Sequence, residues 1–284
     1  MFKKTMKKIV CGVLAVSATV ACMGTMTACE TKHPEVKMEI VFNGETYTLE
    51  YELYRKIAPT TTNHFLSLVE NGYYDGLCIH DYTDSKWYTG AYEYKDSKLA
   101  YKDYYAFAEK YVPDSVWVDK GKKTSTGTLY GEFYANGGFT VENGALKQSF
   151  GSLTMYYTPK DVDQEVFIER LDGNGVTARQ YKYNSATSQF FISLSKTETK
   201  DNNYCTFATL QEDSVSVLED LQEAIKDYIA DEYAASEDED AKTFAPETKM
   251  QIDEDDRFIS KDSYATYKVP QEPIVIKKMT VEKY

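Results

Sequence analysis

Few side chains in this 284-residue chain are spaced for covalent or metal chemistry. The three histidines, His33, His64 and His80, lie far apart in the sequence and form no cluster that would bind a metal ion. The segment 172–175 (Asp-Gly-Asn-Gly) is similar to the start of a calcium-binding loop, but the later ligand spacing and the closing glutamate are missing. No Ser/His/Asp set, phosphate-binding glycine loop or Cys-x-x-Cys motif is supported. The sequence therefore predicts a protein without a metal or cofactor.

Aromatic side chains are the better candidates for binding without covalent chemistry. The chain has 25 tyrosines and 13 phenylalanines, which is typical of half-buried strands and wet binding surfaces. Phe190 and Phe191 follow Gln189 in a predicted strand, so the two rings either fill a core or floor an apolar slot. The aromatic segment 94–123 favours a packed helix over an exposed recognition surface. The predicted packing face consists of Tyr104, Phe107, Ala108 and Tyr111.

The N-terminal residues have the pattern of an export signal. Residues 1–8 are basic, and residues 9–28 carry no charge and end in small residues before Cys29. Interruption by Ser, Thr and Gly argues against a transmembrane helix. The pattern resembles a bacterial lipoprotein signal, in which Cys29 becomes the lipid-modified first residue. We therefore predict a signal peptide at 1–28, a polar tether at 29–35, and an extracytoplasmic protein anchored by lipid to the bacterial cell membrane.

The net charge of the chain excludes some classes of binding partner. The net charge is −13, and loss of residues 1–28, which hold four lysines and no acid, makes it more negative by four. Such a surface repels nucleic acid and anionic lipid, so we expect no nucleic-acid partner and membrane contact only through the lipid.

The two cysteines that remain after Cys29, Cys78 and Cys205, are too few for a disulfide framework. A single disulfide bond between them is possible. We expect a monomer.

Alternating apolar residues predict strands at both ends of the sequence after the tether. Residues 36–42 and 46–53 alternate on either side of Asn43-Gly44, which is a strong hairpin signal. Residues 274–281 are predicted to form a closing strand. Many short strands of this kind fit a barrel or a sandwich.

Two helices are predicted from apolar spacing and end signals. The first is capped by the threonines at 60–62 and stops at Asn71-Gly72. The second covers 214–233 and has a capping box at residues 216–219.

Several sequence blocks, in order, resemble those of one protein family. They are the segments 58–80, 131–137, 151–155, 184–192 and 201–207, the helix near residue 218, and the segment 273–278. Together they resemble a bacterial cyclophilin, and the segment 184–192 (Asn-Ser-Ala-Thr-Ser-Gln-Phe-Phe-Ile) is the most diagnostic. The resemblance implies a mostly β fold: a closed eight-stranded antiparallel barrel with two capping helices. It also implies one enlarged domain over 36–284, with insertions at about 94–123, 159–183 and 231–268.

The cyclophilin resemblance implies acceleration of cis/trans isomerisation at peptide bonds before proline. The uncatalysed barrier is about 18–20 kcal/mol, and lowering it needs an apolar slot for the proline ring and hydrogen-bond donors near the twisting amide. By resemblance, Phe191 floors the slot, Gln189 hydrogen-bonds the substrate backbone, and Tyr204 forms part of the wall. Trp87 and Thr89 fall on two further substrate-binding positions.

The sequence departs from the family at the position of its catalytic arginine. That arginine follows the histidine of a Phe-His-Arg strand, and here Asp81 follows His80. A carboxylate cannot donate to the prolyl nitrogen. Lys86, Tyr156 and Lys200 are expected to crowd or charge the slot as well.

Two functions follow from these observations. The first is an exported, lipid-anchored peptidyl-prolyl isomerase or foldase of weak activity, acting on proline-containing peptides or unfolded exported proteins. The alternative is a catalytically inactive cyclophilin-like module that binds a peptide or protein on the cell surface.

Overall fold

A computed structural model describes most of the chain after residue 31. The described residues are 32–96, 98–134, 146–156, 165–170, 174–180, 185–233, 243–251 and 264–284. The predicted signal peptide, Cys29 and part of the tether lie outside them, as do large parts of the predicted insertions 159–183 and 231–268.

The described residues form three helices and seventeen strands. The helices are α1 (Pro59–Glu70), α2 (Tyr104–Tyr111) and α3 (Glu212–Glu232). The strands are β1 (Glu35–Phe42), β2 (Glu45–Leu53), β3 (Asp81–Tyr82), β4 (Lys86–Thr89), β5 (Tyr92–Lys95), β6 (Lys98–Tyr101), β7 (Val116–Trp117), β8 (Leu129–Tyr130), β9 (Leu153–Met155), β10 (Glu165–Glu169), β11 (Val176–Gln180), β12 (Ser185–Ala186), β13 (Phe190–Ser193), β14 (Thr206–Leu210), β15 (Glu247–Gln251), β16 (Tyr264–Lys268) and β17 (Val275–Lys283).

Eight strands make one antiparallel sheet in the order β17-β1-β2-β14-β9-β13-β4-β3. The predicted hairpin of β1 and β2 is confirmed. Asn43 and Gly44 have φ values of 45° and 81°, the left-handed backbone that a two-residue hairpin turn requires. β17 pairs along the other side of β1, starting with Glu35 opposite Lys283, so the predicted closing strand is also confirmed.

The predicted closure of the barrel is wrong, because the sheet curls into an open half-barrel. Its edge strands, β3 and β17, do not pair with each other. β3 contains only Asp81 and Tyr82, and both of them pair with β4. The segment before β3 meets the start of β17 at the bridge between Cys78 and Val275, and three backbone hydrogen bonds join residues 76–79 to Ile274 and Ile276. The β15–β16 hairpin instead approaches β3 through β16.

Helix α1 confirms the first predicted helix but not its cap. The residue at the N-cap is Ala58, which has no capping side chain. The cap comes from Glu132, whose two carboxylate oxygens accept the backbone N–H groups of Thr60 at 2.9 Å and Thr61 at 2.7 Å. Glu132 is buried, and burial raises the pKa of its carboxyl while these hydrogen bonds oppose the shift. A distant carboxylate therefore satisfies the first turn of the helix.

Helix α3 confirms the second predicted helix with different end chemistry. It begins after Gln211, upstream of the predicted capping box at 216–219, so that box is wrong. The Ser214 hydroxyl does not cap the helix; it accepts the backbone N–H of Glu50 at 2.9 Å and so joins the helix to β2. The buried stripe of the helix consists of Leu218, Leu221 and Ile225.

Helix α2 is additional to the two predicted capping helices. It lies where a packed helix was predicted within 94–123. Asp103 caps it by accepting the N–H of Ala106 at 2.9 Å. Tyr104 and Ala108 are buried against the main core, whereas Tyr111 is 39% exposed.

Cys78 and Cys205 are both buried, and no disulfide bond joins them. Burial raises the pKa of the Cys78 thiol to about 12. None of the described helices is long and apolar enough to cross a membrane.

Candidate functional site

Strand β13 places two adjacent phenylalanines on opposite faces of the sheet. Phe191 lies opposite Tyr88 of β4 and Thr154 of β9. Directly opposed residues share a face and alternate residues return to it, so Lys86 of β4 lies on this face too. Phe190 points the other way into the core, with its ring 5.5 Å from that of Phe65. Phe190 is thus a core residue, and Phe191 belongs to the outer face.

Four rings on this outer face form what we call the aromatic cluster: Tyr88, Tyr156, Phe191 and Tyr204. The ring centroids of Tyr88 and Phe191 are 5.3 Å apart, and those of Tyr88 and Tyr156 are 5.5 Å apart. Phe191 and Tyr204 meet edge to face at 5.8 Å. Phe191 is buried, while the three tyrosines around it are half-buried. The structure therefore brings two predicted site residues, Phe191 and Tyr204, together.

Lys86 brings a positive charge into the aromatic cluster. Its Nζ lies 4.4 Å from the ring centroid of Phe191 and 5.4 Å from that of Tyr204. Both distances are within the range of cation–π attraction. Burial lowers the pKa of the Lys86 ammonium, and the charge of Asp201 opposes that shift. The expectation that Lys86 charges the slot agrees with this placement.

Trp87 and Thr89, two of the predicted substrate-binding residues, do not lie on this face. Trp87 is 1% exposed and stacks on Tyr82 at 5.7 Å, and the buried Thr89 hydroxyl donates to the carbonyl of Cys78 at 2.9 Å. Strand alternation turns both side chains inward.

Tyr88 is a residue of the aromatic cluster that the sequence analysis did not select. The signal for it was the period-two pattern of β4 once Phe191 is assigned to the outer face.

Gln189 lies just before β13 at the edge of the aromatic cluster. Its backbone carbonyl accepts the N–H of Tyr156 at 2.9 Å. Its side chain is close enough to the buried His80 to affect the pKa of the imidazole. Burial lowers the pKa of His80 to about 3 and Gln189 opposes the shift, so His80 is neutral at physiological pH. Lys200 is exposed.

Asp81 fastens the β15–β16 hairpin to the sheet. Its Oδ1 accepts the backbone N–H of Lys268 at 2.8 Å. The neighbouring residue on β16, Tyr267, places its ring 5.0 Å from that of His80. Burial raises the pKa of the Asp81 carboxyl, and the charge of Asp81 in turn contributes to the raised pKa of Tyr88. Asp81 therefore lies at the rim of the aromatic cluster with one oxygen already bonded to the hairpin.

The phenols of the aromatic cluster remain neutral at physiological pH. Burial is the main cause of the raised pKa of Tyr88, Tyr156 and Tyr204. A neutral phenol can donate one hydrogen bond and accept others. Among the described residues, no group of His, Cys, Asp or Glu is placed to hold a metal ion. The site can bind a peptide through ring packing, neutral donors and one ammonium.

Comparison with known proteins identifies the family. The family of cyclophilin type peptidyl-prolyl cis-trans isomerases matches residues 37–242, and the chain belongs to this family. Two crystal structures of a cyclophilin type peptidyl-prolyl cis-trans isomerase from Cryptosporidium parvum are each 16% identical to it. The first covers 89% of this chain and 99% of its own, with a TM-score of 0.44. The second, determined in the presence of the dipeptide Ala-Pro, covers 88% and 99%, with a TM-score of 0.42. No curated protein sequence matches the chain.

Proposed function

We propose that this chain is an exported cyclophilin that binds proline-containing segments of peptides or unfolded exported proteins and isomerises them weakly. The observation that carries the proposal is Phe191 on the outer face of the sheet, surrounded by the rings of Tyr88 and Tyr204. An apolar floor framed by aromatic edges fits a proline ring, because the floor offers packing area and the phenols offer polar handles.

Weak catalysis follows from the charges around this floor. The twisting amide needs a donor aimed at it, and the phenols of Tyr88 and Tyr156 are neutral donors on the same face. Asp81 brings a negative charge to the rim instead of a donor. Losing one preorganised donor of this kind costs about 10²- to 10³-fold in rate. We therefore expect binding to be retained better than catalysis.

Replacing Phe191 with leucine should weaken binding of a blocked Ala-Pro peptide about three- to tenfold, the contribution of one aromatic contact. Leucine keeps the site filled with apolar atoms, so the sheet is preserved. Binding is measured by NMR titration, and exchange NMR on the same samples gives the isomerisation rate. Tyr111→Leu, an exposed ring lost from α2, is the matched control. Absence of peptide binding by the unmodified protein, or equal affinities of wild type and Phe191→Leu, would contradict the proposal.

A second candidate function, binding without catalysis, is favoured by the hydrogen bond between Asp81 and Lys268. The carboxylate that this bond holds at the rim supplies a negative charge and no hydrogen-bond donor for the twisting amide. Peptide binding without any catalysed exchange in the same experiment would select this alternative.

We further propose that the protein is held outside the cytoplasm by a lipid on Cys29. Replacing Cys29 with alanine should move the protein from the detergent phase to the aqueous phase in a phase-partitioning assay. The circular dichroism of the variant should match wild type, because Cys29 precedes the first strand. Cys205→Ala, which removes a buried cysteine instead, is the control. Unchanged partitioning of Cys29→Ala would refute the lipid attachment.

A further inference from the structure

The ammonium of Lys86 occupies the surface on which a proline ring would pack. Its Nζ is 4.4 Å from the ring centroid of Phe191, which is ordinary contact distance for a group lying on the ring face. Phe191 is fully buried in the free protein, so a proline ring can approach it to the distance of about 3.5–4.0 Å that dispersion requires only if a covering group moves away. The ammonium and the proline ring therefore exclude each other.

The backbone of Lys86 is held by hydrogen bonds, so only its side chain can move when a proline ring enters. The Thr83 hydroxyl donates to the Lys86 carbonyl at 2.8 Å and accepts the Lys86 N–H at 3.0 Å. Ser193 pairs with Lys86 on the other side of β4. When proline enters, the four-carbon stem of Lys86 has to swing away while its Cα stays fixed.

A displaced ammonium at this half-buried position needs a new partner. Within the described part of the chain, no carboxylate forms an ion pair with Lys86. Asp201 acts on it only through its charge, and Asp81 is hydrogen-bonded to Lys268. In the free protein the Lys86 ammonium is thus held by the rings of Phe191 and Tyr204 and not by an ion pair. A carboxylate carried by the peptide next to its proline can supply a partner for the displaced ammonium.

We propose that the aromatic cluster selects prolines that are flanked by an acidic residue, with Lys86 as the side chain that recognises the carboxylate. The inference rests on the proposed function, since it assumes that proline packs on Phe191. Lys86 then has two states: over Phe191 in the free protein, and paired with the peptide carboxylate in the complex.

A double-mutant cycle between protein and peptide tests this selection. The probes are blocked tetrapeptides containing Glu-Pro or Pro-Glu, each paired with its glutamine counterpart, titrated into the full-length protein at 150 mM salt. For at least one pair we expect the glutamate peptide to bind about fivefold more tightly, which is the range of one partly buried ion pair. The preference should vanish in Lys86→Met, which keeps the stem, and persist in Lys86→Arg, which keeps the charge.

The control separates local recognition from the overall charge of the protein. Lys95→Met also removes one positive charge, but from an exposed position on β5, and should retain the preference for glutamate. Equal binding of glutamate and glutamine peptides by wild type would overturn the proposal and leave the proposed function standing. A preference that survives in Lys86→Met would overturn it too. Failure of all four peptides to bind would remove the proposed function itself, and with it this inference.

Discussion

Replacing Glu132 with alanine is expected to lower the free energy of unfolding by about 3 kcal/mol. The carboxylate is buried and accepts the first two free N–H groups of α1, those of Thr60 and Thr61. Alanine would leave both donors without this acceptor and leave a space behind Glu132. Each unsatisfied buried group costs about 1–3 kcal/mol.

Glu132→Gln separates hydrogen bonding from charge. Because burial raises the pKa of Glu132, its negative charge is itself costly in the folded state, and acceptance of hydrogen bonds is the stabilising contribution. Glutamine keeps one acceptor oxygen, so we expect it to cost about half as much as alanine. Unfolding is followed by chemical denaturation with circular dichroism. Glu109→Ala, on the exposed face of α2, should stay within about 0.5 kcal/mol of wild type. A cost below about 1 kcal/mol for Glu132→Ala would show that other groups cap the helix.

Introducing arginine at position 81 should raise the isomerisation rate less than tenfold, although the wild type is expected to be about 10²–10³-fold slower than a cyclophilin carrying the arginine. Asp81 is the acceptor for Lys268, so the substitution removes an anchor of the β15–β16 hairpin as well as adding a donor. Lys86 would still lie over Phe191. A donor that is not held in position stabilises the twisted amide poorly.

Exchange NMR on an Ala-Pro peptide measures the rate, and hydrogen exchange at the Lys268 amide reports the hairpin. Asp81→Asn is the matched control, because its amide oxygen can still accept the Lys268 N–H. We expect Lys268 to stay protected in Asp81→Asn and to lose protection in Asp81→Arg. A hundredfold gain in rate for Asp81→Arg with protection retained would show that only the donor was missing.

Elements with strong local signals were predictable from the sequence. The β1–β2 hairpin depends on Asn43-Gly44 and on alternation within a few residues, and the predicted strand and structure agree. Helix α1 was likewise found from its apolar spacing. Its cap was not, because Glu132 lies about seventy residues from Thr61 and only the fold brings them together.

In the candidate site, too, features with a local sequence signal were predictable and contacts between distant residues were not. Phe191 and Tyr204, both selected by resemblance, lie together in the aromatic cluster. Trp87 and Thr89 lie one residue out of phase with the outer face. A shift of one residue in a strand moves every side chain to the other face. The bond from Asp81 to Lys268 spans 187 residues and has no local signature.

The pairing of β1 with β17 joins the first described strand to the last. Glu35 lies opposite Lys283, and their side chains form an ion pair at 2.6 Å across 248 residues of sequence. Contacts of such high sequence separation form late, since the entropy of closing the whole chain has to be overcome first. The β1–β2 hairpin needs only neighbouring residues, whereas the β1–β17 ladder needs the two ends of the described sheet together. If β17 came away, β1 would become the exposed edge of the sheet, with a row of unpaired N–H and C=O groups along it.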